Sequence, residues 1–219
     1  MRKLSKLEEP YELREMRPYW EKKVAENGSD YYKTKYRAKP IKKRLKKETH
    51  NKCVYCESKI GHNTPGDVEH KVPVSLNEDG RFEWKNLTIA CTECNRRKND
   101  YYDEEKMFLD PYVDDVENLL KHAGPFVFAL PGNEVAEISV GILELSEIER
   151  RNELFAQKVK KLKDVKNLME RIVSVNNPHL KRMLLKDLLN MGENSSEYSA
   201  MVLSLIESCD GPWANHGIE

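Results

Sequence analysis

The chain has 219 residues, enough for one or two domains with a real core, and 34% charged against 39% hydrophobic residues mark it as polar and globular. No run approaches the roughly 20 apolar residues of a membrane span, which excludes an integral helical membrane protein. The charged start, Met1-Arg2-Lys3-Leu4, has no apolar leader, so a cytoplasmic location is expected. The net charge is zero but segregated: residues 1–60 carry 18 Lys/Arg against 9 Asp/Glu, and residues 101–150 carry 3 against 12. A basic half can follow a phosphate backbone through counterion release. It can equally be a solvated face, or pair with the acidic half.

Residues 4–26 read as a charged segment, helical in part, with Pro10 and Pro18 limiting its continuity. From Tyr31 to Lys47 the chain is densely basic, with Tyr31, Tyr32 and Tyr36 interleaved and able either to stack on bases or to pack on a neighbouring surface. Apolar residues there are too few for a well-buried helix, so a surface helix or arm is expected. Residues 53–100 are punctuated by Gly61, Pro65-Gly66, Asp79-Gly80 and Asn99-Asp100. Two β-prone runs, Phe126–Leu130 and Val135–Val140, flank Pro131-Gly132-Asn133-Glu134 and predict a β-hairpin. Ser146-Glu147-Ile148-Glu149 then reads as a capping box opening a long amphipathic helix to about Val175. Asn176-Asn177-Pro178 breaks it, and shorter helices are expected near 178–191 and 195–209.

Two cysteine pairs, Cys53-x-x-Cys56 and Cys91-x-x-Cys94, have 34 residues between them. Thiolates two residues apart can share one Zn²⁺, and a second such pair completes a tetrahedron. A redox motif would need one pair in a βαβ context, which is absent. Cys53, Cys56, Cys91 and Cys94 are therefore expected to hold a structural zinc. Cys209 reads as a small core residue, Trp84 as core beside the zinc pair, and His50 and His62 as loop or solvated histidines.

Between the pairs lies Asp67-Val68-Glu69-His70-Lys71-Val72-Pro73. Its valines suit a short strand, on which neighbours face opposite sides unless twist or a bulge turns both toward one centre. A neutral imidazole can take a proton from water, and a carboxylate can hold a hard divalent ion. By itself a Glu-His pair is weak; a histidine near a strand is more often structural.

Taken together, Cys53-Val54-Tyr55-Cys56-Glu57, Glu69-His70-x-x-Pro73, Asn86-Leu87 and Cys91-x-x-Cys94-Asn95-x-x-Lys98 resemble an HNH endonuclease. The resemblance covers about residues 53–98. It implies that Glu69 ligates a catalytic Mg²⁺ or Mn²⁺, His70 is the general base, Asn86 orients the active-site loop and Asn95 completes the metal site. Arg96, Arg97 and Lys98 become expected phosphate contacts on DNA. Glu69 stands where Asp is more common, and Asn95 where a final His is usual; both variants are familiar in the family. Phe82-Glu83-Trp84-x-Asn86-Leu87 and Phe108-Leu109-Asp110-Pro111-Tyr112 add a closer similarity, to the PtuB-type HNH subunits of Septu and retron-associated antiphage systems. That similarity implies an ABC/SMC-like ATPase partner of the PtuA type.

The expected fold class is therefore α+β: a ββα-metal (HNH) module with a structural zinc, plus a β-hairpin and a mainly α-helical C-terminal region. The expected division is a basic segment at 1–50, the zinc-stapled nuclease module at 51–112, and a hairpin and helical region at 113–219 that could bind a partner. The competing expectation is a non-catalytic zinc module that binds nucleic acid or a protein.

Overall fold

A computed structural model describes residues 1–61, 65–105 and 108–214; His62 lies outside the described residues. Helix α1 (Tyr11–Asn27) starts after Pro10 and ends at Gly28, whose left-handed backbone (φ 57°) lets its N–H reach the Val24 carbonyl. Pro18 sits inside α1 without ending it, contrary to the expected interruption. The cost of the lost N–H is offset by packing, since Leu13 and Trp20 are buried and Trp20 lies 5.7 Å from Phe82.

After the short α2 (Asp30–Lys33) and a 3-10 turn at Lys35–Arg37, α3 (Lys39–Glu48) runs through the basic segment. Ile41, Leu45 and Glu48 share its buried face, so α3 is better anchored than its composition suggested. Three buried positions suffice because Glu48 is satisfied by Lys6 at 3.0 Å, the Leu7 N–H at 2.9 Å and the Tyr112 hydroxyl at 2.9 Å.

Strand β1 (Asp67–His70) pairs antiparallel with β2 (Leu87–Ala90), Glu69 opposite Thr88 and His70 opposite Leu87, and helix α4 (Thr92–Lys98) follows. Gly66 is required just before β1: its φ is 68°, and a Cβ there would meet Ile60 Cγ2 at 2.5 Å. Beyond α4 come α5 (Val116–Leu119) and a second hairpin, β3 (Leu120–Ala123) with β4 (Phe126–Ala129), turning through Gly124-Pro125. The hairpin thus lies one strand earlier than expected. Residues Glu134–Ile142 form helix α6 instead of a strand, because the Asn133 side chain accepts the Ala136 N–H at 2.9 Å and caps it. Ser146 is not a cap either. Its hydroxyl pairs with both backbone groups of Val127 on β4, and α7 (Asn152–Ser174) begins only after Arg151.

Helices α8 (Pro178–Gly192) and α9 (Ser199–Ser208) complete the chain, with α7 on α8, α8 on α9 and α9 on β3. Buried apolar residues from Met1 to Trp213 form one continuous cluster, and Trp84 belongs to it, as expected. Cys209 packs at its margin, half-buried. Among the described residues no helix is long and apolar enough to cross a membrane.

One buried group makes the core acid-sensitive. Both ring nitrogens of His122 on β3 are buried without a hydrogen-bond partner among the described residues, and burial, aided by the Met1 ammonium, lowers the imidazole to about 3. Protonation therefore favours the unfolded chain. The stability that neutral His122 contributes is full above about pH 6.5 and is lost as pH falls toward 3. His122→Leu is expected to gain on the wild type by about 2 kcal/mol between pH 8 and pH 5 in urea unfolding. An identical pH dependence in the two proteins would refute that assignment.

Candidate active site and metal centre

The four cysteines converge. Cys53 and Cys56 lie on a turn closed by Cys53 N–H to the Ser58 carbonyl (2.9 Å) and Glu57 N–H to the Cys53 carbonyl (3.1 Å), with Glu57 at φ 62°. The Val54 N–H reaches the Ile89 carbonyl at 3.1 Å, which fixes this turn to β2. Cys91 is the residue before α4, and its sulfur accepts the Cys94 N–H at 3.4 Å. All four Sγ atoms lie within 4.8 Å of one another, and Cys56 and Cys91 are 3.8 Å apart. Zinc–thiolate bonds of ~2.3 Å in a tetrahedron require sulfur–sulfur edges of about 3.8 Å, so the cluster could hold a zinc ion. It is the one such group among the described residues. Buried Arg151 donates to Cys94 Sγ at 3.4 Å, an outer contact with no signature in the sequence beyond an arginine near a helix start.

On β1 the pairing is regular, so Glu69 and His70 alternate and meet different partners. Glu69 is buried, with Lys98 Nζ of α4 2.8 Å from its Oε1. Lys98 also donates to the His70 carbonyl at 3.0 Å. Burial raises the Glu69 carboxyl to about 7, although Lys98 pulls it down. His70 is half-buried, its Nε2 3.0 Å from the Arg81 carbonyl and its ring edge-on to Tyr36 at 4.5 Å. A carbonyl can only accept, so Nε2 carries the proton and Nδ1 is left as the acceptor. Burial lowers this imidazole to about 4, with the Arg81 hydrogen bond working the other way. His70 is thus neutral at pH 7 and able to take a proton.

Asn86 closes the loop between the strands. Its Oδ1 accepts the Val72 N–H at 2.8 Å, while its Nδ2 donates to the carbonyls of Val72 (3.0 Å) and Gly80 (3.1 Å). Its own carbonyl accepts the Lys71 N–H at 2.9 Å. A side chain with both donor and acceptor is needed here, and few residue types supply one.

The helix residues divide. Asn95 is half-buried on α4, one turn before the lysine that Glu69 meets. Arg96 is exposed and pairs with Glu93 at 2.9 Å. Arg97 is held by Glu93, Glu144 and the Arg150 carbonyl. Lys98 is 1% exposed. Two of the three expected phosphate contacts are therefore engaged inside the protein. The sequence also gave no warning of Tyr36 and Arg81 beside His70. Lys71 pairs with Asp110 at 2.6 Å, which gives the Leu109-Asp110-Pro111 run a contact with the loop after β1. A cavity of about 290 Å³ opens beside the Asn86 clamp, bordered by Lys71, Lys98, Tyr102 and Phe108.

Residues 53–101 match the HNH endonuclease family, from the first zinc-type cysteine to just beyond Lys98. Over that segment the chain resembles the HNH endonucleases. It is 28% identical over 127 residues to the Septu protein PtuB of Bacillus thuringiensis, covering 57% of this chain and 47% of that protein. A second Septu protein PtuB, from Bacillus mycoides strain KBAB4, is 29% identical over 162 residues, covering 59% and 53% respectively. The chain thus spans about half the length of the curated relatives it matches.

Four substitutions at three positions separate the parts of this site. Cys94→Ser is expected to abolish bound metal, measured by elemental analysis, and to lower the melting temperature, whereas Cys209→Ser should leave both unchanged. Asn86→Ala strands three backbone groups and should cost about 3 kcal/mol in denaturant unfolding. Asn86→Asp should be no better, because it offers no donor to the Val72 and Gly80 carbonyls. Wild-type stability in Asn86→Asp would overturn the clamp.

Proposed function

We propose that this protein is a metal-dependent HNH endonuclease that hydrolyses phosphodiester bonds of DNA, as the nuclease subunit of an antiphage complex with an ABC/SMC-like ATPase in the cytoplasm. The observation that carries the reading is a neutral His70 at the end of β1, its tautomer set by the Arg81 carbonyl so that Nδ1 accepts. The order β1, β2, α4 around the Asn86-clamped loop supports the reading of a ββα-metal module. The HNH match and the PtuB relatives support the family and the defence setting.

The residues suit two metal ions. The sulfur spacing fits Zn²⁺ at Cys53, Cys56, Cys91 and Cys94 as a structural ion. Glu69 is a buried carboxylate already balanced by a cation, so its surroundings accept positive charge. Mg²⁺ or Mn²⁺ would be held by Glu69 and Asn95 in exchange for the Lys98 contact. When bound, such an ion neutralises charge that develops on the phosphate and the leaving oxygen. The chain's own groups do the rest: His70 Nδ1 takes the proton of the attacking water, Tyr36 packs edge-on to the ring and restricts its tilt, and Asn86 holds residues 71–86 against the strands.

A partner surface is proposed on residues 113–219, where Phe128, Leu130 and Ile148 are exposed apolar residues in an acidic stretch. The second reading, a non-catalytic zinc module binding nucleic acid or a protein, draws on one observation: Glu69 and His70 are both engaged by internal partners. Plasmid cleavage by the complex reconstituted with its ATPase decides between them. His70→Ala should lower the rate by at least about 10²-fold, the share of a general base, with zinc content and melting temperature unchanged. Glu69→Ala should do the same. Undiminished cleavage in His70→Ala defeats the mechanism, and an inert wild-type complex favours the binding module.

A further inference from the structure

With Arg97 and Lys98 engaged internally and Arg96 paired with Glu93, further cations are needed to meet the substrate, and residues 33–47 offer a continuous run of them. Residues 33–47 contain nine Lys/Arg and no Asp or Glu. Among the described residues, only Lys33 of these nine forms an ion pair, with Asp30 at 3.4 Å. Helix α3 explains how so many charges are displayed. Ile41, Leu45 and Glu48 take the buried side, which leaves Lys39, Lys43 and Lys47 exposed on the opposite one. The charges are close enough to feel one another: burial, Lys46 and Arg37 together depress the Lys42 ammonium.

This surface leads to the proposed base. Arg37 lies 5.1 Å over the Tyr36 ring, and Tyr36 packs on His70 at 4.5 Å. The far boundary is a groove of about 720 Å³, with Lys43, Arg44, Lys46 and Lys47 on the α3 side and Glu8, Glu9, Glu12 and Arg14 opposite. Tyr32 packs edge-on to both Tyr19 and Tyr31, and Lys35 lies 3.7 Å over the exposed Tyr31 ring. The cations of α3 suit contacts to a phosphate backbone, which every sequence of duplex DNA presents.

We infer that the exposed face of α3, with Arg37, is a docking surface for the backbone of duplex DNA and leads it to His70. The inference rests on the nuclease reading for the identity of its occupant. The test measures anisotropy of a labelled 20-base-pair duplex, and of one of its strands, bound to the zinc-loaded chain between 50 and 200 mM salt. The His70→Ala background prevents cleavage. Each phosphate contact contributes about 0.9 to the slope of log affinity against log salt for duplex DNA. Arg37→Gln/Lys39→Gln/Lys43→Gln should therefore flatten the slope by about 2 to 3. The control Lys160→Gln/Lys163→Gln/Lys166→Gln on α7 should leave it unchanged. An unaltered slope in the first variant, an equal loss in the control, or tighter binding of the single strand than of the duplex overturns the inference. Because the readout is a salt slope, it fails or holds separately from the cleavage test of His70.

Discussion

Four sulfur atoms within 4.8 Å of one another make a crowded polar point in a protein core, and four thiolates there would repel strongly without a cation between them. A tetrahedral ion would turn that repulsion into a staple of three pieces of chain that share little sequence proximity. One is the turn at Cys53–Cys56, bound to β2 through Val54. Another is the start of α4 at Cys91–Cys94. The last is the C-terminal region, which reaches the cluster through Arg151 and touches the turn through Tyr198 and Ser199 at Ser58 and Glu57. Glu57 shows how tightly this junction is built. Burial opposes its charge, yet the Met1 ammonium, Lys52 and Ser199 outweigh burial and hold the carboxyl below its ordinary range.

The same staple would set where α4 points, and therefore what Glu69 meets. A buried carboxylate needs compensation, and Lys98 supplies it from the last turn of the helix. A divalent ion taking that place would leave the Lys98 ammonium buried with the His70 carbonyl as its partner. An ion held by Glu69, on the proposed reading, would require Lys98 to shift, since neither charge tolerates isolation. On the proposed reading, His70 feels this event through its own backbone, which links the cation site to the base although their side chains alternate along β1.

The legible parts of the sequence were those in which chemistry fixes spacing. Two CxxC pairs imply four convergent sulfurs wherever the chain goes between them, and the long apolar face of α7 and the break at Asn177-Pro178 were equally plain. The β-prone run Val135–Val140 was misleading because its alternation fits two periods, and the deciding signal was the single Asn133 cap. Ser146 carried a correct capping pattern whose hydroxyl was claimed by Val127, a tertiary contact no local window contains. In the site, residue types suggested the polar groups but not their pairings. Lys98 beside Glu69 and Arg97 beside Glu144 come from three-dimensional proximity, so an exposed basic triplet in sequence became mostly internal in the fold.

That outcome changes how a net charge of zero should be understood. Part of the positive charge lies against the carboxylates of Glu57, Glu69 and Glu144, which meet Lys52, Lys98 and Arg97. The run from Lys33 to Lys47 is different, because Glu48 at its end turns inward to Lys6, Leu7 and Tyr112 and neutralises none of it. The cations left on α3 have solvent and counterions for neighbours, and a polyanion that releases those counterions gains free energy the protein itself cannot supply. Ion pairs from the acidic stretch at 101–150 reach Arg2, Lys71, Arg97 and Arg150, none of them on α3. On the proposed reading, attraction of a phosphate backbone toward His70 depends on segregation of charge and not on its total.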